Sequence, residues 1–149
     1  FEYMFVWSKD APQTFNPLKD RKHKHVGAVP HGTIRQKDGS TKSAFLSGKV
    51  RGEFGQRFNI WDIANPGIAG NPHPAVFPEA IARDHILSWS NPGDVVFDPF
   101  LGSGTTGKMA LLEGRRFIGI ERDRKYFDIA QNRIEDAQRA GEGESNEGS

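Results

Sequence analysis

Cysteine is absent from the 149-residue chain, which excludes a disulfide framework and any thiolate-held zinc. Long apolar runs are missing too. No stretch approaches the roughly 20 residues of a membrane-spanning helix, and no signal-peptide pattern precedes the first apolar run. A cytoplasmic protein is the expectation. Charge of one sign is not in excess, since 20 Lys and Arg face 19 Asp and Glu. That balance hides a division. Residues 1–60 hold 11 basic against 5 acidic residues, a net +6, and residues 61–149 hold 9 against 14, a net −5. Such asymmetry points to one face suited to a polyanion. At this length the chain is one compact domain or part of one. Because it opens at Phe1 within an apolar run, a piece of a longer protein is expected.

What is present centres on Val95 to Glu121. Val95-Val96-Phe97 reads as a buried strand, and its lack of alternation suits a parallel sheet covered on both faces. Gly102-Ser103-Gly104-Thr105-Thr106-Gly107 follows, then a short helical pattern closed by Gly114 at a left-handed cap. Phe117-Ile118-Gly119-Ile120 makes a second strand ending at Glu121. This strand–glycine loop–helix–strand–acid order suits a nucleoside-bearing cofactor. Gly102 and Gly104 let the backbone turn sharply and approach a ligand closely. Thr105 and Thr106 stand at a helix N-terminus, where amides and dipole favour an anion, and Glu121 is placed to accept from ribose hydroxyls. Gly102 to Gly107 also matches the dinucleotide pattern G-x-G-x-x-G, so an oxidoreductase stays open. Against it stands Asp98-Pro99-Phe100, because a carboxylate beside two phosphates repels them. An acid there suits an ammonium group, such as that on the amino-acid end of S-adenosylmethionine.

Around this centre, Phe1 to Ser8 reads as a buried strand of the same sheet. Residues 19–57 scatter basic side chains among glycines and three histidines, with Lys37-Asp38-Gly39-Ser40 as a hairpin turn. Lys22, Lys24, Arg35, Lys42, Lys49, Arg51 and Arg57 are the candidate contacts to a polyanion, placed to neutralise phosphates. His23, His25 and His31 lack metal-ligand spacing, so no metal is expected. Phe58 to Ile63 reads as a short strand, and Trp61 within it as a core anchor. Pro78 opens a helix on which Ala82, Ile86 and Trp89 share a packing face. Asn91-Pro92-Gly93-Asp94 forms a turn. Arg115 and Arg116 read as a solvated helix end rather than a phosphate site. Asp123 caps a last helix with Tyr126, Ile129, Ala130, Arg133 and Ala137 on one face. The acid- and glycine-rich residues 140–149 read as a disordered tail.

Asp98-Pro99-Phe100-Leu101-Gly102-Ser103-Gly104-Thr105-Thr106, with Gly119-Ile120-Glu121 and Tyr126, resembles the amino-methyltransferases that modify DNA at adenine N6 or cytosine N4. His73-Pro74-Ala75-Val76-Phe77-Pro78-Glu79 resembles the family's separate motif at the methionine end of the cofactor. Glu2 to Lys9 and Thr14-Phe15-Asn16 resemble the strand and loop after its catalytic segment. The resemblance reaches about residue 135, and the order is that of the permuted subgroup with its cofactor half C-terminal. It implies an α/β, Rossmann-like S-adenosylmethionine-dependent methyltransferase fold, mostly parallel sheet with flanking helices. Residues 1–18 would follow the catalytic segment, 19–57 form a basic target-recognition insert and 58–139 the cofactor half.

The resemblance further implies S-adenosylmethionine as cofactor, double-stranded DNA as partner and a restriction–modification setting. By matched position, Asp98, Thr105 and Thr106 would hold the methionine ammonium and carboxylate. Phe100 would pack on the ligand beside Gly102 and Gly104, Glu121 would bind the ribose, and Phe77 and Pro78 would border the methionine end. Adenine N6 is favoured on family frequency. The family's acceptor motif, Asp, Asn or Ser followed by Pro-Pro-aromatic, is absent from this sequence, so no catalytic residue is assigned; in the permuted order it would precede Phe1. A non-catalytic module that binds nucleic acid or cofactor is the alternative.

Overall fold

The strand that ends at Asp98 forms because β-branched and aromatic residues favour the pleated conformation. It stops because Pro99 has no amide to donate. The chain was studied as a computed structural model describing residues 3–29, 31–45, 50–63 and 78–146. It divides into two compact units: Phe1–Asn16 with Asp62–Ser149, and Pro17–Trp61.

In the first unit, α1 (Glu79–Trp89), β5 (Val95–Asp98), α2 (Thr105–Leu112), β6 (Arg116–Gly119) and α3 (Arg124–Asn146) follow one another. Strands β5 and β6 pair in parallel, with Val95 opposite Arg116 and Asp98 opposite Gly119. Ala82 and Ile86 of α1 and Met109 and Ala110 of α2 form the buried cluster, with Val96 and Phe117 packed against it. The Asn91–Asp94 turn forms as expected: the Asn91 amide donates to Asp94 Oδ2 at 2.8 Å and Gly93 takes φ 86°. Gly114 closes α2 at φ 75°, with the Arg115 amide donating back to the Ala110 carbonyl at 2.8 Å. Asp123 caps α3, accepting from the Lys125 amide at 2.9 Å. Asn16 secures the other end of α1. Its side-chain amide donates to the carbonyls of Leu87 (3.2 Å) and Ser90 (3.1 Å), satisfying helix-end acceptors.

Three expectations for this unit are corrected. Residues 3–8 form no strand. They have no ladder partner among the described residues; Met4 to Trp7 border a groove shared with Ile81, His85 and Trp89 of α1, and Tyr3, Phe5 and Trp7 stay exposed with neighbouring rings 6.3 and 6.4 Å apart. The parallel sheet is not covered on both faces. Among the described residues it has two strands, and Val95, Phe97 and Ile118 are exposed while Val96 and Phe117 face the helices. Residues 141–146 continue α3 instead of forming a tail. Once a helix is nucleated, each further glycine costs only about 1 kcal/mol, and Gly141 and Gly143 follow a long established helix.

In the second unit, β2 (His31–Arg35) and β3 (Thr41–Phe45) form an antiparallel ribbon, and β1 (Arg21–Lys22) pairs antiparallel with β4 (Phe54–Gly55). Lys37 to Ser40 makes the ribbon's turn, with Gly39 at φ 85°. Residues 58–63 are not a strand. Two of their rings instead lie under guanidinium groups: Arg21 sits 4.6 Å from the Phe58 centroid and Arg57 5.1 Å from that of Trp61.

Candidate cofactor site

The site is built where β5 and β6 run out together. Beyond the last ladder pair, the Ile120 amide donates to the Asp98 carbonyl (3.0 Å) and the Leu101 amide to the Ile120 carbonyl (2.9 Å). These bonds bring the glycine loop beside Glu121. Glu121 then binds the loop directly: Oε2 accepts from the Gly102 amide at 2.8 Å, and Oε1 from the Asp123 amide at 2.8 Å. Those two amides, Asp123 first, hold its carboxyl below the ordinary value of 4.5. It is therefore an anion at neutral pH. Glu121 lines a depression of about 380 Å³ with Pro99, Phe100, Ile120 and Arg122. Phe100 presents an almost naked ring there, 88% exposed. An exposed aromatic face next to an ionised carboxylate suits a planar heterocycle carrying a diol.

Asp98 turns back on its own loop, Oδ1 accepting from the Phe100 amide at 2.9 Å. It is half-buried at the mouth of the loop, and the bond aims the Phe100 backbone. Gly104 has φ 83°, and a Cβ there would come within 2.9 Å of Ala130 Cα on α3. Its requirement for glycine therefore arises from helix packing as well as from the turn. Gly107 is enclosed likewise, between Ile134 and the Phe117 ring, each 2.6 Å from a hypothetical Cβ. In this chain the third glycine of the pattern is a packing residue.

The two threonines part company. Thr105 is buried and faces Arg133, whose Nη1 lies 3.5 Å from its Oγ1. Thr106 lines a different groove, of about 580 Å³, with Met4, Val6, Ile81, His85 and Val96 among its walls. The structure thus brings Phe100, Gly102 and Glu121 together and leaves Thr105 and Thr106 pointing elsewhere. Pro78 is the residue just before α1, at φ −58°, and Glu79 begins the helix. Phe77, the rest of the segment from His73, and Lys49 lie outside the described residues.

Arg133 and Glu79 are functional candidates that periodicity concealed. Arg133 occupies the packing face of α3, yet its guanidinium donates to the Ser103 carbonyl (2.6 Å), to Ser103 Oγ (3.0 Å) and to Glu79 Oε1 (3.0 Å). Lys108 of α2 also reaches Glu79 Oε1 at 2.8 Å. One carboxylate thereby joins the start of α1, the glycine loop, α2 and α3. The sequence signalled Glu79 only as the last residue of the segment 73–79 and carried no sign of its pairing with Arg133. Arg115 is corrected: it is buried, and it donates from Nε to Ser90 Oγ (3.0 Å) and from Nη2 to the Ser90 carbonyl (2.7 Å). Arg116 is exposed and donates to the Gly93 carbonyl at 3.0 Å.

Of the basic candidates in the second unit, Lys22, Lys24, Arg35 and Lys42 are exposed and Arg51 is half-buried. Arg57 is engaged with Asp20, donating from Nε to Oδ2 at 2.8 Å. No cluster of three or more metal-type ligands occurs among the described residues, and no helix there is long and apolar enough to cross a membrane.

The chain is 49% identical over 142 residues to the orphan methyltransferase M.BamHII of Bacillus amyloliquefaciens, covering 90% of this chain and 53% of that protein. It is 35% identical over 132 residues to the type II methyltransferase M.Cfr9I of Citrobacter freundii, covering 87% and 43%. It spans about half the length of the curated relatives it matches. The crystal structure of the M1.HpyAVI–SAM complex aligns with a TM-score of 0.41 and 44% identity, over 42% of this chain and 32% of that one. The alternative of a dinucleotide oxidoreductase gives way to a match along most of the sequence: residues 1–132 fit the family model described as DNA methylase, and the chain belongs to that family.

Proposed function

We propose that this chain is the cofactor-binding and DNA-recognition half of a site-specific DNA methyltransferase, with S-adenosylmethionine as its cofactor. The reaction is methyl transfer to an exocyclic amine of a flipped base, adenine N6 ahead of cytosine N4. The observation that carries the reading is the Glu121–Gly102 hydrogen bond beside the exposed Phe100 ring. An ionised carboxylate hydrogen-bonded to the glycine loop and an exposed apolar ring line one depression, which supports the reading. Glu121 binds the ribose, Phe100 packs on the adenosine, and Asp98 offers its carboxylate to the methionine ammonium. When bound, the sulfonium cofactor supplies the methyl group. On this reading the Pro-Pro-aromatic acceptor segment comes from elsewhere in the protein, and the chain by itself binds without transferring. The basic unit Pro17–Trp61 meets the DNA through Lys22, Lys24, Arg35, Lys42, Lys49 and Arg51, while Arg57 braces the unit through Asp20.

Titration calorimetry of the chain with S-adenosylhomocysteine and with NAD tests the cofactor. Binding of the homocysteine compound supports the proposal, and binding of NAD in its place overturns it. Methyl incorporation into duplex DNA by the full reading frame tests the reaction, with the product identified by mass spectrometry. Neither N6-methyladenine nor N4-methylcytosine appearing would sink it.

A further inference from the structure

The ribbon of β2 and β3 has a composition that its folding does not explain. Every described side chain from Gly32 to Ser43 is exposed, Ile34 included at 57%. None of these described side chains therefore packs on a core, although an isolated two-stranded ribbon is marginal in water. The register sorts its residues into two faces, because directly opposed residues project to the same side. Thr33 opposite Ser43 and Arg35 opposite Thr41 share one face. Ile34 opposite Lys42 belongs to the other. Nearest the turn, that first face thus carries three hydroxyls and a guanidinium, from Thr33, Arg35, Thr41 and Ser43.

The charge is equally one-sided. From residue 31 to 45 the cations are Arg35, Lys37 and Lys42, against Asp38 alone. Asp38 is occupied in the turn: its Oδ1 accepts from the Ser40 amide (2.9 Å) and from Ser40 Oγ (2.7 Å). Those bonds hold its carboxyl below the ordinary range. They also shape the tip, where the Gln36 amide donates to the Ser40 carbonyl at 2.8 Å. A rigid tip fixes the register and so fixes which side chains share a face.

We infer that this ribbon reads duplex DNA from the major groove, with the Thr33–Arg35–Thr41–Ser43 face against the base edges and Lys37 and Lys42 on phosphates. The inference rests on the DNA-methyltransferase reading above and adds which residues set sequence preference. Two strands about 4.8 Å apart, with side chains, fit a groove about 12 Å wide. Arginine pairs bidentately with the guanine O6 and N7 acceptors. Threonine and serine hydroxyls both donate and accept, and the threonine methyl can meet the thymine methyl. Lysine on a phosphate adds affinity without sequence information.

The test uses the whole chain against a randomised duplex pool. Affinities for the enriched duplex and a scrambled one are then measured at several salt concentrations. Arg35→Lys keeps the charge and loses the planar fork. It is expected to lower the preference for the enriched duplex roughly fivefold to a hundredfold, with scrambled-duplex affinity and salt slope unchanged. Thr33→Val, which keeps shape and strand propensity, is expected to reduce the same preference. Lys42→Ala is expected to weaken both duplexes alike and to flatten the salt slope by about one. If no sequence is enriched, or if Arg35→Lys and Thr33→Val leave the preference intact, the ribbon is not the reader, while DNA binding itself stands. If the chain still binds S-adenosylhomocysteine but binds no duplex at all, the DNA part of the proposed function falls as well.

Discussion

Glu121 accepts from two backbone amides, one in the glycine loop and one before α3. Under the proposed ribose role, a diol would share or displace those bonds and gain a charge-assisted acceptor by doing so. Glu121→Ala is therefore expected to weaken S-adenosylhomocysteine binding about tenfold or more, read by calorimetry. An unchanged affinity would remove the ribose assignment. The same residue gives a pH signature. Its folded carboxyl lies below the ordinary 4.5, so its contribution to folding is complete above that value and is lost as the pH falls through the lower folded one. Thermal melts of the wild type and Glu121→Gln should differ most near neutrality and converge on acidification below the ordinary carboxylate range. Glu121, Gly102 and Phe100 were legible in the sequence because strand, loop and acid follow one another along the chain. The inward turn of Thr105 was not, because its partner Arg133 lies 28 residues away.

Among the elements, α2 and α3 act on the loop from behind. The Arg133 guanidinium spans Ser103 and Glu79 like a staple, and Ser103 is 4% exposed, so its carbonyl has little access to water once the staple is lost. Arg133→Ala is expected to weaken S-adenosylhomocysteine binding about fivefold, roughly 1 kcal/mol, and to speed amide exchange from Gly102 to Thr105. Arg133→Lys keeps the charge for Glu79 but cannot hold both partners, and should fall between. Exchange in the loop that is equally slow in all three proteins would show that Arg133 only packs. Apolar spacing placed α1, α2 and α3 correctly, since helices declare a buried stripe every three or four residues. The same reasoning failed for residues 3–8 and 58–63. A run of aromatic and β-branched residues indicates strand propensity, but a strand also needs a ladder partner, which no local pattern supplies. It failed again at the far end of α3, where composition suggested a tail and helix propagation prevailed.

For the whole molecule, the division of charge follows the division into units. Pro17–Trp61 holds 10 basic and 3 acidic residues, a net +7, and the remainder holds 10 and 16, a net −6. Within the basic unit, Asp20 is engaged by Arg57 and Asp38 by its own turn, so two of the three acids are already committed. The depression beside Glu121 belongs to the acidic unit and is formed by hydrogen-bonded groups and an apolar ring, whereas the basic unit brings its net +7 charge to a ligand. The two ligands should therefore respond differently to salt. Phosphate contacts release counterions, and about six of them cost roughly a thousandfold in affinity between 50 and 200 mM salt. Over that interval duplex affinity should fall by about that factor, while S-adenosylhomocysteine affinity should stay within about twofold, because close hydrogen bonds are screened little. Fluorescence anisotropy with a labelled duplex and calorimetry with the homocysteine compound read the two curves. A duplex affinity indifferent to salt would remove the basic unit from DNA binding, and a steep salt dependence for the small ligand would mean that long-range charge, rather than the Glu121 and Phe100 contacts, holds it.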